Sequence, residues 1–98
     1  MKKTYELVVL FNPTLASDLL KKAEEDISKF ISSKKGTIKK TEDWGRKMLQ
    51  YPIGKHTEAV YVFYLVELNA EHAQALDRAV QLHDSVIRHI VVLSKDNA

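Results

Sequence analysis

The hydrophobic pattern of the first third of the chain changes period once. Between Tyr5 and Phe11 every odd position is apolar, while Thr4 and Glu6 are polar. This alternation is typical of a strand with one buried face, and Asn12-Pro13 is a turn signal that ends it. From Leu15 to Ile31 apolar residues recur at intervals of three and four with charges between them. That spacing predicts an amphipathic helix, which Gly36 is expected to end.

The remaining residues predict a long polar strand, a turn, a strongly apolar strand, a second helix and a final strand. The apolar strand is hydrophobic at both odd and even positions, which is typical of a strand in the middle of a sheet. Gly45 is expected to disturb the polar strand, and Pro52 cannot donate a ladder hydrogen bond. The predicted bounds are Thr37–Tyr51, Pro52–Thr57, Glu58–Leu68, Ala70–His83 and Val86–Leu93.

The order β-α-β-β-α-β predicts an α+β protein of the ferredoxin-like class. Its four-stranded antiparallel sheet carries two helices on one face, and its right-handed crossovers place the first and third strands centrally. The 98 residues are enough for one hydrophobic core, so residues 1–98 are interpreted as a single domain. Residues 94–98 are interpreted as a short polar tail.

This layout leaves one face of the sheet without helices. If Tyr5, Leu7 and Val9 face the helices, the opposite face receives apolar and aromatic side chains that a soluble monomer does not usually leave uncovered. Another protein, stacked nucleobases or a second copy of the chain are candidate occupants. Arg46 and Arg88 are expected on the same face. The residues predicted to form a partner-protein face are Leu10, Met48, Tyr61, Phe63, Leu65 and Ile90.

Charge is distributed unevenly along the chain. The formal net charge is only +2, yet residues 34–56 hold seven lysines and arginines against two carboxylates, a net +5. A cluster of this kind can bind a polyanion even when the whole protein is nearly neutral. A solvated basic surface without a partner is the alternative interpretation.

Nothing in the sequence indicates catalysis. The three glycines are scattered at positions 36, 45 and 54, whereas a phosphate-binding loop needs them clustered. The four histidines have no short ligand spacing, and the absence of cysteine excludes thiolate metal sites. The longest apolar run, Ala59–Val66, is too short to span a bilayer. We therefore expect no enzymatic activity, no cofactor, no metal, no small-molecule substrate and no membrane association.

One segment resembles the second-strand signature of the bacterial small ribosomal subunit protein six family. It reads Trp44-Gly45-Arg46-Lys47-Met48-Leu49-Gln50-Tyr51-Pro52-Ile53-Gly54-Lys55. Tyr5-Glu6 with Asn12-Pro13 is similar to the family's opening, and Asp84-Ser85-Val86-Ile87-Arg88 to the entry to its last strand. The resemblance implies a ferredoxin-like, non-enzymatic protein of the cytoplasmic small ribosomal subunit. It also implies binding to the central domain of small-subunit ribosomal RNA, as a heterodimer with small-subunit protein eighteen.

The basic segment and the resemblance together suggest which side chains meet RNA phosphates. Such contacts orient a protein and supply affinity but carry little base specificity. The competing hypothesis is a self-associating ferredoxin-like regulatory or ligand-sensing domain, which would show no salt-dependent RNA binding. The residues predicted to bind RNA are Lys2, Lys3, Arg46, Lys47, Lys55, His56 and Arg88.

Overall fold

The computed structural model describes residues 2–94 and confirms the predicted ferredoxin-like architecture. All strand pairs are antiparallel in the order β2-β3-β1-β4, so the prediction that the first and third strands lie centrally is also confirmed. A short 3-10 helix, Ala70–His72, precedes the second α-helix. The elements are β1 (Lys2–Phe11), α1 (Ser17–Ser33), β2 (Thr37–Ile53), β3 (His56–Asn69), α2 (Ala73–Gln81) and β4 (Val86–Leu93).

The core lies between the two helices and one face of the sheet, which we call the covered face. β1 and β3 supply its centre, because their alternate side chains point toward the helices and are excluded from solvent. Burying each such aliphatic side chain contributes about 1.5–3 kcal/mol, so this face accounts for most of the stabilisation. The core includes Leu7, Val9, Phe11, Val62, Tyr64, Val66 and Leu68 from the sheet and Ala23, Ile27, Ile31, Leu76 and Val80 from the helices.

The end of α1 fixes where β2 begins. The Gly36 amide donates to the carbonyl of Ile31 and the Lys35 amide to that of Ser32, both at 2.9 Å, while Lys35 adopts a left-handed conformation with φ of 61°. This pattern is a Schellman motif, with lysine where glycine is commoner. Gly36 is required for a different reason: a Cβ there would lie 2.7 Å from Cδ1 of Leu68.

The β2–β3 hairpin departs from the sequence prediction. β2 extends to Ile53, and the turn is reduced to Gly54 and Lys55, with Gly54 at a φ of 59°. Met48 pairs with Glu58 and Ile53 with His56, so residues 49–52 oppose the single residue 57. Segment 49–52 therefore leaves the regular ladder, and Pro52, which has no N–H, lies in that irregular part.

Two boundaries near the C-terminus also differ from prediction. The second helix was predicted over Ala70–His83, but its α-helical part covers only Ala73–Gln81. Ser94, predicted as the start of the polar tail, is buried, and its amide donates to the Thr4 carbonyl at 2.9 Å. Residues 95–98 of the predicted tail lie outside the described residues.

Candidate protein and nucleic-acid interface

The strand register places most of the predicted site residues on the face of the sheet opposite the helices, which we call the open face. Val8 pairs with Phe63 and Ile90, and Leu10 pairs with Tyr61 and Arg88. Paired residues of antiparallel strands point to the same side, so these side chains share one face. Of the predicted partner-protein face, the open face carries Leu10, Tyr61, Phe63, Leu65 and Ile90.

The placements predicted for Met48 and Arg46 on this face are wrong. Arg46 pairs with Val60 and Met48 with Glu58, two positions that alternate with the buried Val62 and so point to the covered side. The face of each β2 residue depends on the register of this strand, which shifts between Ile38 and Lys40 and again between Asp43 and Gly45. A shift of one residue reverses the face of every following side chain.

Arg46 is occupied by contacts inside the protein. Its guanidinium donates to the Glu58 carboxylate at 2.8 Å and to the carbonyl of Pro13 at 2.7 Å. The first contact joins β2 to β3, and the second joins β2 to the turn between β1 and α1. Charge-assisted hydrogen bonds of this kind are stronger than neutral ones, so Arg46 has a structural task whatever else it binds.

An aromatic cluster with a lysine lies at the β2 side of the open face. The Trp44 and Phe63 rings are stacked, with centroids 5.5 Å apart and planes inclined by 6°. Lys47 Nζ lies 5.3 Å from the Trp44 centroid and 5.9 Å from that of Tyr61. The indole of Trp44 thus already contacts one ring and one cation, each such contact contributing about 0.5–1 kcal/mol.

Trp44 was missing from the predicted partner-protein face. It occupies the irregularity between Asp43 and Gly45, where the Gly45 amide donates to Oδ1 of Asp43 at 2.9 Å and Gly45 has a φ of 75°. The indole lies on the open face, where it stacks on Phe63. The one available signal was Gly45, because glycine inside a strand often marks a bulge.

The open face also contains an apolar groove of about 340 Å³. Residues of β1, β3 and β4 form its floor, and the irregular segment of β2 forms a wall. This segment and the β4 residues Arg88 and Ile90 line the same groove, although β2 and β4 are opposite edges of the sheet. The lining residues are Val8, Leu10, Leu49–Ile53, Tyr61, Arg88 and Ile90.

The seven residues predicted to bind RNA do not form one cluster. Lys47 pairs with Ala59 and Arg88 with Leu10, so both lie on the open face with Lys2, whose partner is Asn69. Lys3 pairs with Leu68 and points to the covered side with Arg46. Lys55 and His56 lie at the turn of the β2–β3 hairpin.

Residues 2–94 contain neither a candidate metal site nor a helix that could span a membrane. No group of three or more histidine, aspartate or glutamate side chains there could hold a metal ion. Neither α-helix of this part of the chain has the length and apolar character needed to cross a bilayer.

Comparison with known proteins identifies the family. Residues 4–93 match the family model described as Ribosomal protein S6. The chain belongs to the ribosomal protein S6 family. The S6 relatives include small ribosomal subunit protein bS6 of Clostridium novyi (strain NT), 32% identical over 90 residues, which span 92% of this chain and 95% of the relative.

A second S6 relative and a solved structure agree with this assignment. Small ribosomal subunit protein bS6 of Carboxydothermus hydrogenoformans is 33% identical over 92 residues, covering 94% of this chain and 96% of that protein. The crystal structure of 30S ribosomal protein S6 from Thermotoga maritima superposes with a TM-score of 0.90 at 23% identity, over 98% of this chain and 91% of that one. Because the sequence identity is only 23%, this superposition shows that the two proteins share a fold.

Proposed function

We propose that this protein is a non-enzymatic structural constituent of the small ribosomal subunit. We further propose that it binds the central domain of small-subunit ribosomal RNA together with small-subunit protein eighteen, in the cytoplasm. Membership of the S6 family over residues 4–93 is the single observation that carries the proposal. The open face supports its finer part, because it presents an apolar groove beside two cations, Lys47 and Arg88.

The groove is the proposed docking site for the protein partner. Parts of its apolar lining stay accessible to solvent within this chain: Ile90 keeps 46% of its surface exposed and Tyr51 keeps 73%, whereas Leu10 is buried. An apolar side chain inserted from a partner would remove this surface from water, which is the usual energetic centre of a protein interface. The proposal keeps Leu10, Tyr61, Phe63, Leu65 and Ile90 as partner contacts. Met48 lies on the covered side and does not line the groove, so it is not part of this docking site.

A pair of matched variants on β4 tests this docking site. Ile90 and Val92 point to the same face and are 46% and 48% exposed, but only Ile90 lines the groove. Ile90→Asp should weaken binding to protein eighteen at least roughly tenfold, because it buries an unpaired charge in the interface. Val92→Asp should change binding little. Calorimetric titration measures both, and circular dichroism checks that both variants fold. Equal weakening by the two variants would contradict the groove as the docking site.

The RNA contacts are proposed to be contacts between cations and phosphates. Lys47 and Arg88 lie on the same face as the groove, so a docked partner and the RNA backbone would meet the protein on one side. Stacking of a nucleobase on Trp44 is less well supported, because its indole already contacts Phe63 and Lys47. The proposed contacts are Lys2, Lys47 and Arg88 on this face, Lys55 and His56 at the hairpin turn, and Lys3 and Arg46 on the covered side.

The salt dependence of RNA binding tests this assignment. Each phosphate contact adds about 0.7–0.9 to the slope of log affinity against log salt, so about four contacts give a slope near −3. Replacing Lys47 and Arg88 together by alanine should flatten the slope by about one to two units. The control replaces Lys22 and Lys29, two exposed cations on α1. The assembled complex with protein eighteen is titrated in both cases. An unchanged slope in the first variant would remove Lys47 and Arg88 from the RNA interface.

A further inference from the structure

A second, acidic cavity lies on the side of the sheet away from the open face, between α1 and β2. It has a volume of about 470 Å³. Glu24 and Glu25 from α1 and Asp43 from β2 line it, and Lys21 is the one cation among the described residues that does so. Within residues 2–94, Lys21 forms no ion pair with any of these carboxylates. The cavity therefore carries an excess of negative charge. This is so although its β2 side belongs to the basic segment 34–56.

Tyr64 supplies a separate indication that the cavity takes a ligand. This β3 residue also lines the cavity, only 2% of its surface is exposed, and its hydroxyl has no hydrogen-bond partner among the described residues. Leaving a buried hydroxyl unpaired costs about 1–3 kcal/mol. Nearly all buried polar groups in proteins are paired, so such an exception calls for an explanation.

The electrostatics of the cavity favour a positively charged ligand. Burial, followed by the negative charge of Asp43, raises the pKa of Glu24 above its ordinary value, and Lys21 opposes this only in part. Burial and the charges of Glu24 and Asp43 also raise the pKa of the Tyr64 hydroxyl. A cation in the cavity would relieve the repulsion between the two carboxylates.

We propose that this cavity binds the guanidinium group of an arginine side chain presented by another molecule. A metal ion is a poor fit, because no group of three or more acidic or histidine side chains within residues 2–94 could hold one. A guanidinium is planar and has five N–H donors, so it can bridge acceptors that stand too far apart to coordinate one ion. The residues that line the cavity include several acceptors, namely the carboxylates of Glu24 and Asp43 and the hydroxyls of Thr41 and Tyr64.

The direct test titrates the folded protein with N-acetyl-argininamide and follows backbone amide signals by nuclear magnetic resonance. Saturable shifts are expected at Glu24, Thr41 and Asp43, with millimolar affinity. N-acetyl-lysinamide should bind several-fold more weakly, because an ammonium is a point charge that cannot bridge the same acceptors. Magnesium chloride at matched ionic strength should give no saturable shifts there. Equal binding of the two amides, or saturable binding of magnesium at these residues, would overturn the proposal.

Two variants that each remove two negative charges distinguish binding in the cavity from non-specific attraction to acidic residues. Glu24→Gln with Asp43→Asn should weaken argininamide binding roughly tenfold, since charge-assisted hydrogen bonds are lost. The asparagine keeps the oxygen that accepts from the Gly45 amide. The control, Glu71→Gln with Asp84→Asn, removes two charges from exposed positions outside the cavity and should leave binding unchanged. Equal loss in both variants would show non-specific attraction and overturn the proposal.

Tyr64→Phe separates ligand binding from folding. The hydroxyl has no partner in the described part of the chain, so its removal should not lower the melting temperature. It should nevertheless weaken argininamide binding several-fold. Binding that is unaffected in Tyr64→Phe and in the double variant would overturn the proposal. The proposal is independent of the open face, because Ile90→Asp should leave argininamide binding intact.

Discussion

The two faces of the central strands look alike in sequence but differ in the structure. On the covered face, Leu7, Val9, Val62 and Val66 are fully excluded from solvent by the helices. On the open face, Phe63 and Leu65 are only half-buried, although they are as apolar, whereas Leu10 there is buried. An apolar residue on a central strand therefore has two distinct explanations. On one face it stabilises the fold of this chain, and on the other it remains available for a partner.

Matched truncations measure this difference most directly and give the largest expected effect. Leu7→Ala on the covered face should lower the free energy of unfolding by about 3 kcal/mol, because it leaves a cavity in a closed core. Leu65→Ala on the open face should cost about 1 kcal/mol, because solvent already reaches that side chain. Urea denaturation of the isolated protein measures both values. Equal costs would mean that the open face belongs to the core of the free protein.

Adjacent cations on β2 allow a second comparison of the two faces. Arg46→Ala should lower the free energy of unfolding by about 1 kcal/mol, because the lost hydrogen bonds to Glu58 and Pro13 are charge-assisted but partly exposed. Lys47→Ala should cost about 0.5 kcal/mol through its lost contacts with Trp44 and Tyr61. Thermal denaturation compares the two single variants.

The same two variants should affect the salt dependence of RNA binding in the opposite order to their effect on stability. Lys47→Ala should flatten the salt dependence by about one unit, and Arg46→Ala by less, because the Arg46 guanidinium is already engaged inside the protein. A larger loss of slope in Arg46→Ala would show that Arg46 exchanges its internal contacts for phosphates when RNA binds.

The sequence predicted the central strands well because their burial follows a strict alternation. Tyr5, Leu7 and Val9 were assigned to the covered face by period two alone, and the structure buries all three. The order of the strands followed from the right-handed crossovers. These inferences needed only local periodicity and a general rule of connectivity.

The faces of β2 could not be predicted in the same way. This strand is polar on both sides, so no hydrophobic pattern fixes its register. Irregularities between Ile38 and Lys40 and between Asp43 and Gly45 also interrupt the simple alternation of faces along this strand, and Arg46 and Met48 lie on the covered side. The wall of the groove was also missed, because Pro52 and Gly54 indicate a turn without showing that the preceding residues line a groove on the open face.

Replacing Glu24, which lines the acidic cavity on the covered side, is expected to have the smallest effect on stability. Below the ordinary pKa of glutamate this side chain is protonated in both the folded and the unfolded chain, so Glu24→Gln should change stability little. As the pH rises through the ordinary value toward the raised folded pKa, the unfolded chain loses its proton first and the wild type loses stability. At neutral pH the glutamine variant should therefore be more stable, by about 0.5 kcal/mol or less for a partly exposed group.

The same measurement in an Asp43→Asn background identifies the cause of that gain. Burial is the larger cause of the raised pKa of Glu24 and the charge of Asp43 the smaller one, so the gain from Glu24→Gln should shrink without vanishing. Melting temperatures of the four proteins at acidic and neutral pH complete the double-mutant cycle. A gain from Glu24→Gln that is the same at both pH values would contradict this account, because packing alone has no reason to depend on the protonation of Glu24.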